Sequence, residues 1–415
     1  MENLKVIKPA PADIADEAKP APADIADEAK TAPENEPPQK KRSAFRRLVG
    51  SVLRSAWTWL ILLFPAALLL RAAASGIEGF ADFWCGYIYR PVSVFWSFVS
   101  GIVPFSVGEI LLILLPFAAL AYIIAVIVAI VRSKGQRVKK LVKGIVRPIA
   151  AASLVFFVYI TNCGINYYCS DVLTLSGMKL RETSAQELYE VCVYLADQAS
   201  ECRSRLSENE NGVAVIDISA AKYKTRDAVN SLHARYGYIP DGYSIPKGVM
   251  LSRAMSYLDV TGIYSPFTFE ANVNTDMRNF TVPFTMCHEL SHVRGFMHEQ
   301  DANFIAYLAC ICSGDYELMY SGYAEAVRYV SKYLRLSDGK LYNDFLTHLS
   351  DGVFRDYEDN SQYWKQFETP IAEAASSVND SYLKFNAQPE GIMSYNRITE
   401  LIIAHYFTDI KGAAE

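Results

Sequence analysis

Two histidines four residues apart, with a glutamate directly after the first, stand out as residues that could do chemistry: His288, Glu289 and His292 in the run CHELSH. On a helix that spacing stacks both imidazoles on one face, one turn apart, so that they can hold one metal ion. Glu289 then lies within reach of a water on that ion and is the candidate general base. Two imidazoles and a carboxylate suit zinc, and a catalytic zinc ion takes three protein ligands with one position left open. The chain therefore needs a third ligand beyond the pair.

Two neighbouring residues compete for that place, His298 and Glu299. On a straight helix residue 299 would lie about 16 Å beyond His288, too far to share its ion. Gly295 must therefore reverse the chain into a tight αα-hairpin, after which either residue can arrive. Cys287 points about 100° round the helix from His288 and is expected to pack rather than ligate. A tetrahedral oxyanion would need a further donor; Tyr395 and Arg397 are the candidates, with Tyr320 a weaker one.

The spacing through His298 is similar to the metzincin pattern HExxHxxGxxH, and residues 391–395 (GIMSY) resemble the methionine turn of those enzymes. EQDANFIA from Glu299 instead resembles the second motif of gluzincin-type enzymes. There the glutamate binds zinc and the residue one turn on, here Asn303, orients a histidine.

These residues require elements to hold them. The metal helix is expected over 283–294, with Pro283 suited to its first turn. A second helix follows over 298–312, with Phe304, Leu308 and Ile311 on one stripe. Residues 257–274 are β-like around Gly262, with a turn at Ser265-Pro266, and are expected to line the cleft and accept an extended peptide by strand addition. Helices are expected over 184–206, 220–236, 322–334, 341–349, 361–377 and 398–407, with a short strand over 213–218.

The other half of the organisation is a membrane pattern. The chain has 415 residues, and its 51% hydrophobic content is concentrated in the first 170. Residues 1–47 form a polar tail containing PAPADIADEAK twice, which cannot bury enough surface to order, followed by the basic flank Lys40, Lys41, Arg42, Arg46 and Arg47. Residues 48–170 hold three apolar runs, 49–70, 107–131 and 148–167, each long enough to span a bilayer. The aromatic stretch 71–106 is expected to lie at the interface or re-enter, and Glu109 to sit at the interface. Basic residues flank the first run and fill the loop between the second and third, which places both in the cytoplasm and residues 171–415 outside the cell membrane. No basic motif interleaved with aromatics suggests a nucleic-acid partner. The eight cysteines lack a CxxC pair; Cys163 with Cys169, or Cys192 with Cys202, could form short-loop disulfides, and buried thiols are the preferred expectation.

The combination PFT-x-CHELSH-x-RGF, E-x-DANFIAYLA, SPFTFEANVN, YSGY at 320–323 and a terminal G-x-x-SY-x-R resembles the bacterial membrane family called domain of unknown function 3810. The resemblance runs from the first span to about residue 407. It implies three N-terminal spans and an outer zincin-like domain. It also implies Glu299 rather than His298 as third ligand, which makes the metzincin pattern, Met393 included, a coincidence. Val293 departs from the glutamine common there, and the family has no established substrate.

The expected fold is thus mostly α, with three transmembrane helices followed by an α+β zincin-like (gluzincin-type) domain. The expected function is a membrane-anchored zinc metallopeptidase. Zn2+ would be held by His288, His292 and Glu299, with Glu289 as base and the bilayer and an unknown peptide or protein as partners. The alternatives are a zinc-binding membrane sensor or a zincin-like domain without turnover.

Overall fold

The computed structural model describes residues 38–389 and 397–412. The repeat-bearing part of the tail lies outside the described residues, as do Met393 and Tyr395. The chain divides into two units, 1–51 and 52–415. Of the first, helix α1 (Pro38–Leu53) is described and carries the basic flank.

The second unit is mostly helical and opens with three helices long and apolar enough to cross a membrane: Ala56–Gly76, Val107–Arg132 and Arg137–Tyr168. The first consists of α2 (Ala56–Leu60) and α3 (Leu63–Gly76) and starts later than the apolar run suggests. Extended backbone at Ser55 separates it from α1 and leaves Arg54 outside. Arg71 falls inside it instead, with its guanidinium over the Phe385 ring, and donates to the Phe385 carbonyl and the Tyr168 hydroxyl. Between the first two spans run α4 (Phe80–Trp84), a π turn (Cys85–Tyr89) and α5 (Arg90–Gly101). The second span is α6 (Val107–Arg132). In the third, α7 (Arg137–Tyr159) extends back through its basic first turns, so Pro148 lies inside the helix rather than at its start.

The remaining elements are α8 (Val172–Ser176), α9 (Ala185–Ser204), β1 (Ser207–Glu208), β2 (Ala214–Val215), α10 (Ile218–Arg235), β3 (Lys247–Gly248), α11 (Ser252–Tyr257), β4 (Gly262–Ser265) and β5 (Glu270–Val273). They are followed by α12 (Val282–Val293), α13 (Glu299–Ile311), α14 (Tyr316–Ser337), α15 (Gly339–Phe345), α16 (Asp351–Lys365), α17 (Pro370–Phe385) and α18 (Ile398–His405). The helix expected over 361–377 is instead the end of α16 and the start of α17. Thr369 caps the new helix and Pro370, which cannot donate to a preceding turn, begins it. Cys192 and Cys202 lie ten residues apart on α9, or about 15 Å, too far to bridge. Cys163 contacts the Met297 sulfur and Cys169 the Ala81 carbonyl.

The sheet has the order β3-β5-β4, with β3 parallel and β4 antiparallel to β5, and Ile263 opposite Asn272. β5 is buried, which leaves β4 at the edge beside α12. One apolar core runs through α9, α12, α13, α14 and α18. It contains the buried pair Arg203–Asp356, and Asp356 also accepts from Ala214 N and the Tyr320 hydroxyl.

The sheet is bolted to the second span. Glu270 accepts from the backbone N–H groups of Val107 and Gly108 at 3.0 and 2.8 Å, filling the electropositive N-terminus of α6. The ammonium of buried Lys247 sits 2.6 Å from the same carboxylate. Glu109, expected at the interface, is buried and accepts from Met250 N and Leu251 N at 3.0 and 2.8 Å. It holds the start of α11 against the span.

Candidate metal centre

Helix α12 begins with Pro283 in its first turn, where a missing N–H costs nothing, and buries almost every residue. It ends in a Schellman turn. Gly295 takes φ 103°, its N–H bonds the His292 carbonyl at 3.0 Å, and the Phe296 N–H bonds the Ser291 carbonyl at 3.1 Å. A side chain on Gly295 would be strained, and its Cβ would stand 2.9 Å from the Cys85 sulfur. This turn makes the reversal that the metal site requires, and α13 starts with Glu299 close to the histidines.

His288, His292 and Glu299 offer ligand atoms that all lie within 4.8 Å of one another, and all three side chains are largely buried. The two Nε2 atoms are 3.0 Å apart, and Glu299 Oε2 is 3.3 Å from one and 3.9 Å from the other. Each Nδ1 is already engaged: that of His288 with Asn303 Oδ1 at 2.8 Å and that of His292 with the Phe296 carbonyl at 2.7 Å. Both partners accept, so both Nδ1 atoms carry the proton and both Nε2 atoms present lone pairs. Three potential ligand atoms thus converge on one point. Tetrahedral bonds of about 2.0–2.1 Å would set such ligands roughly 3.3 Å apart. The residues fit a zinc-sized cation.

His298 does not join them. It occupies the N-cap of α13 and sets its ring edge-on to Tyr167, centroids 6.0 Å apart. Arg397, at the N-cap of α18, is exposed, and its charge is felt at His298. Tyr395 lies outside the described residues. Tyr320 is fully buried with its hydroxyl 2.5 Å from Asp356, which takes it away from an oxyanion role. Cys287 packs in the core against the Cys310 sulfur, 3.9 Å away. Val293 is buried in the core as well.

Glu289 is 3% exposed, and among the described residues its Oε2 has no hydrogen-bond partner. Burial pushes its carboxyl up to about 8; the Glu299 charge adds to the rise and His288 opposes it. Burial, together with the charge of His288, takes His292 down to about 4. Burial lowers His288 too, but the bond and charge of Glu299 raise it on balance. Gly262 of β4 rests on Glu289 so closely that a Cβ there would overlap the carboxylate. The strand expected to line the cleft therefore runs along the side of the HExxH base.

Residues 84–403 match the family described as protein of unknown function DUF3810. The chain belongs to that family. No curated protein and no solved structure matches it. The DUF3810 match starts in α4, after the first span, and ends in α18. It therefore begins later than the sequence resemblance suggested, and it takes in the segment between spans as well as the metal helix.

That segment supplies contacts that the sequence did not reveal. The Tyr89 hydroxyl lies 3.2 and 3.1 Å from the carbonyls of His292 and Val293, and the Ser93 hydroxyl donates to the Val293 carbonyl at 2.8 Å. Tyr89 is 1% exposed and also meets the Tyr264 hydroxyl of β4 at 3.0 Å. The Val293 carbonyl, at the end of the HExxH helix, is thus met by hydroxyls from the segment between the first two apolar helices. Burial, then the charge of Glu325, holds the phenol of Tyr329 on α14 well above the ordinary range, and the Glu299 charge is also felt there.

Proposed function

We propose that this DUF3810 protein is a membrane-anchored zinc metallopeptidase, with zinc held by His288, His292 and Glu299. The observation that carries the reading is the convergence of two imidazoles and a buried carboxylate beside Glu289, a second buried carboxylate whose Oε2 has no hydrogen-bond partner among the described residues. Zinc, when bound, would supply a Lewis acid that acidifies water and polarises a carbonyl oxygen. Glu289 takes the proton of the attacking water at Oε2 and returns it to the leaving amine. Asn303 and the Phe296 carbonyl hold the two imidazoles in the tautomer that leaves Nε2 open. The free edge of β4 offers backbone N–H and C=O groups to an extended peptide beside Glu289. Arg397, Tyr395 and Tyr329 are the donors to test for the oxyanion. The basic flank and the basic loop between α6 and α7 are cytoplasmic, which puts residues 171–415 outside the cell membrane.

A sensor reading draws on the bonds from Tyr89 and Ser93, through which a ligand at the metal helix could act on the spans. Comparing membrane proteins from cells carrying wild-type and Glu289→Gln chains separates the two. Uncut proteins accumulating only with the variant support the peptidase, and identical profiles overturn it.

Two further outcomes bear on the metal. Glu299→Gln is expected to strip metal from the purified full chain while His298→Arg retains it; the reverse order, measured by elemental analysis, would move the third ligand to His298. Asn303→Ala should weaken metal affinity about 10–100-fold in competition with a chelator, because His288 loses the partner that fixes its ring. Wild-type affinity in that variant would remove Asn303 from the site.

A further inference from the structure

Arg294 follows the metal helix and is 6% exposed, yet no carboxylate pairs with it among the described residues. Its Nη2 donates to the neutral Asn230 Oδ1 at 3.0 Å, and its buried Nε has no acceptor. Burying a guanidinium is costly unless an anion compensates it. The loop at Gly242 is shaped around this side chain: a Cβ there would stand 2.6 Å from Nη1. Asn230 fixes the same loop by bonding both the N–H and the carbonyl of Gly242 at 3.0 Å.

The guanidinium lines a shallow cleft that opens to solvent and encloses room for about one water molecule, together with Arg90, Ser93, Ser97, Asp241 and Gly242. Two arginines against one aspartate leave the cleft net positive. Asp241 stands at the mouth, 3.8 Å from Arg90, with its side chain 68% exposed; its charge is felt at Arg294, but among the described residues the two form no ion pair. The Ser93 and Ser97 hydroxyls are spent on backbone carbonyls, which leaves the arginine N–H groups as the donors. The wall of the cleft is α5, whose opposite side exposes Phe95, Trp96 and Phe98. Because α5 joins consecutive ends of the first two spans, it lies at the level of lipid headgroups.

We propose that a phosphate group binds across the open mouth of this cleft, between Arg90 and the edge of Arg294 that lines it. Arginine forks match the geometry of phosphate oxygens, and the anion supplies the charge that Arg294 lacks. The group comes either from an anionic lipid headgroup or from a soluble phosphate. The site does not depend on the peptidase reading.

The test uses the full chain in nanodiscs and reads the thermal unfolding midpoint. Inorganic phosphate is added to phosphatidylcholine discs in one arm, and phosphatidylglycerol replaces part of the lipid in the other. A rise in the first arm assigns a soluble phosphate, and a rise in the second alone assigns the lipid. Arg294→Gln should abolish either rise. Should that variant fail to fold, Arg90→Gln, at a half-exposed position, is expected to weaken the response on the order of tenfold, and Asp241→Asn to strengthen it. A wild-type chain indifferent to both arms overturns the proposal. So does a wild-type response in Arg294→Gln or, if that variant does not fold, in both Arg90→Gln and Asp241→Asn.

Discussion

Replacing Glu289 with glutamine is expected to slow peptide hydrolysis by roughly a hundredfold to ten-thousandfold while metal content stays at the wild-type level, since a positioned general base contributes on that order. The change is nearly isosteric, which matters because Gly262 leaves no slack around this side chain. Oε2 has no partner among the described residues, so the amide that replaces it breaks no bond of the fold. Loss of turnover with metal retained isolates the base from the ligands. Full turnover with metal retained would remove Glu289 from the mechanism.

The largest expected stability effect lies at the bolt between sheet and span. Glu270→Gln should cost about 3–5 kcal/mol, the usual penalty for leaving a buried charge uncompensated. Lys247 would keep only the Ser100 carbonyl, 2.6 Å away, and the N-terminus of α6 would lose the anion on its first N–H groups. Denaturant unfolding of the full chain in detergent checks the loss. The double variant Glu270→Gln, Lys247→Met should recover part of it, because the stranded ammonium is then gone. Equal stability of wild type and Glu270→Gln would mean that the pair is replaceable by neutral hydrogen bonds.

The site was legible because its parts are local. HELSH, the Gly295 reversal and the Glu299–Asn303 spacing fall within sixteen residues, and helix periodicity on either side of one glycine turn brings them to one point. The spans were legible for the same reason, apart from their ends. Ser55 breaks the first run, and the helix of the third continues into charged residues that hydropathy leaves out. The break between α16 and α17 was written in Thr369-Pro370 and outweighed by apolar spacing across it. What periodicity could not show are contacts between distant segments. Tyr89 stands 204 positions before the Val293 carbonyl it meets, and Glu270 stands 163 after the Val107 N–H it accepts. Neither residue has a local pattern that distinguishes it from an ordinary strand or interface residue.

The carbonyls at the end of α12 close on side chains from a segment made early in synthesis. Tyr89 and Ser93 precede the HExxH helix by some 200 positions, so that helix takes its last hydrogen bonds from a segment synthesised before it. A chain begun at residue 171 would lack that segment, the Val107 and Gly108 N–H groups for Glu270, and the Glu109 carboxylate for α11. Residues 171–415 would be left with open ends where the intact protein has seams. The segment between the first two apolar helices is thus part of the frame that holds the candidate metal centre.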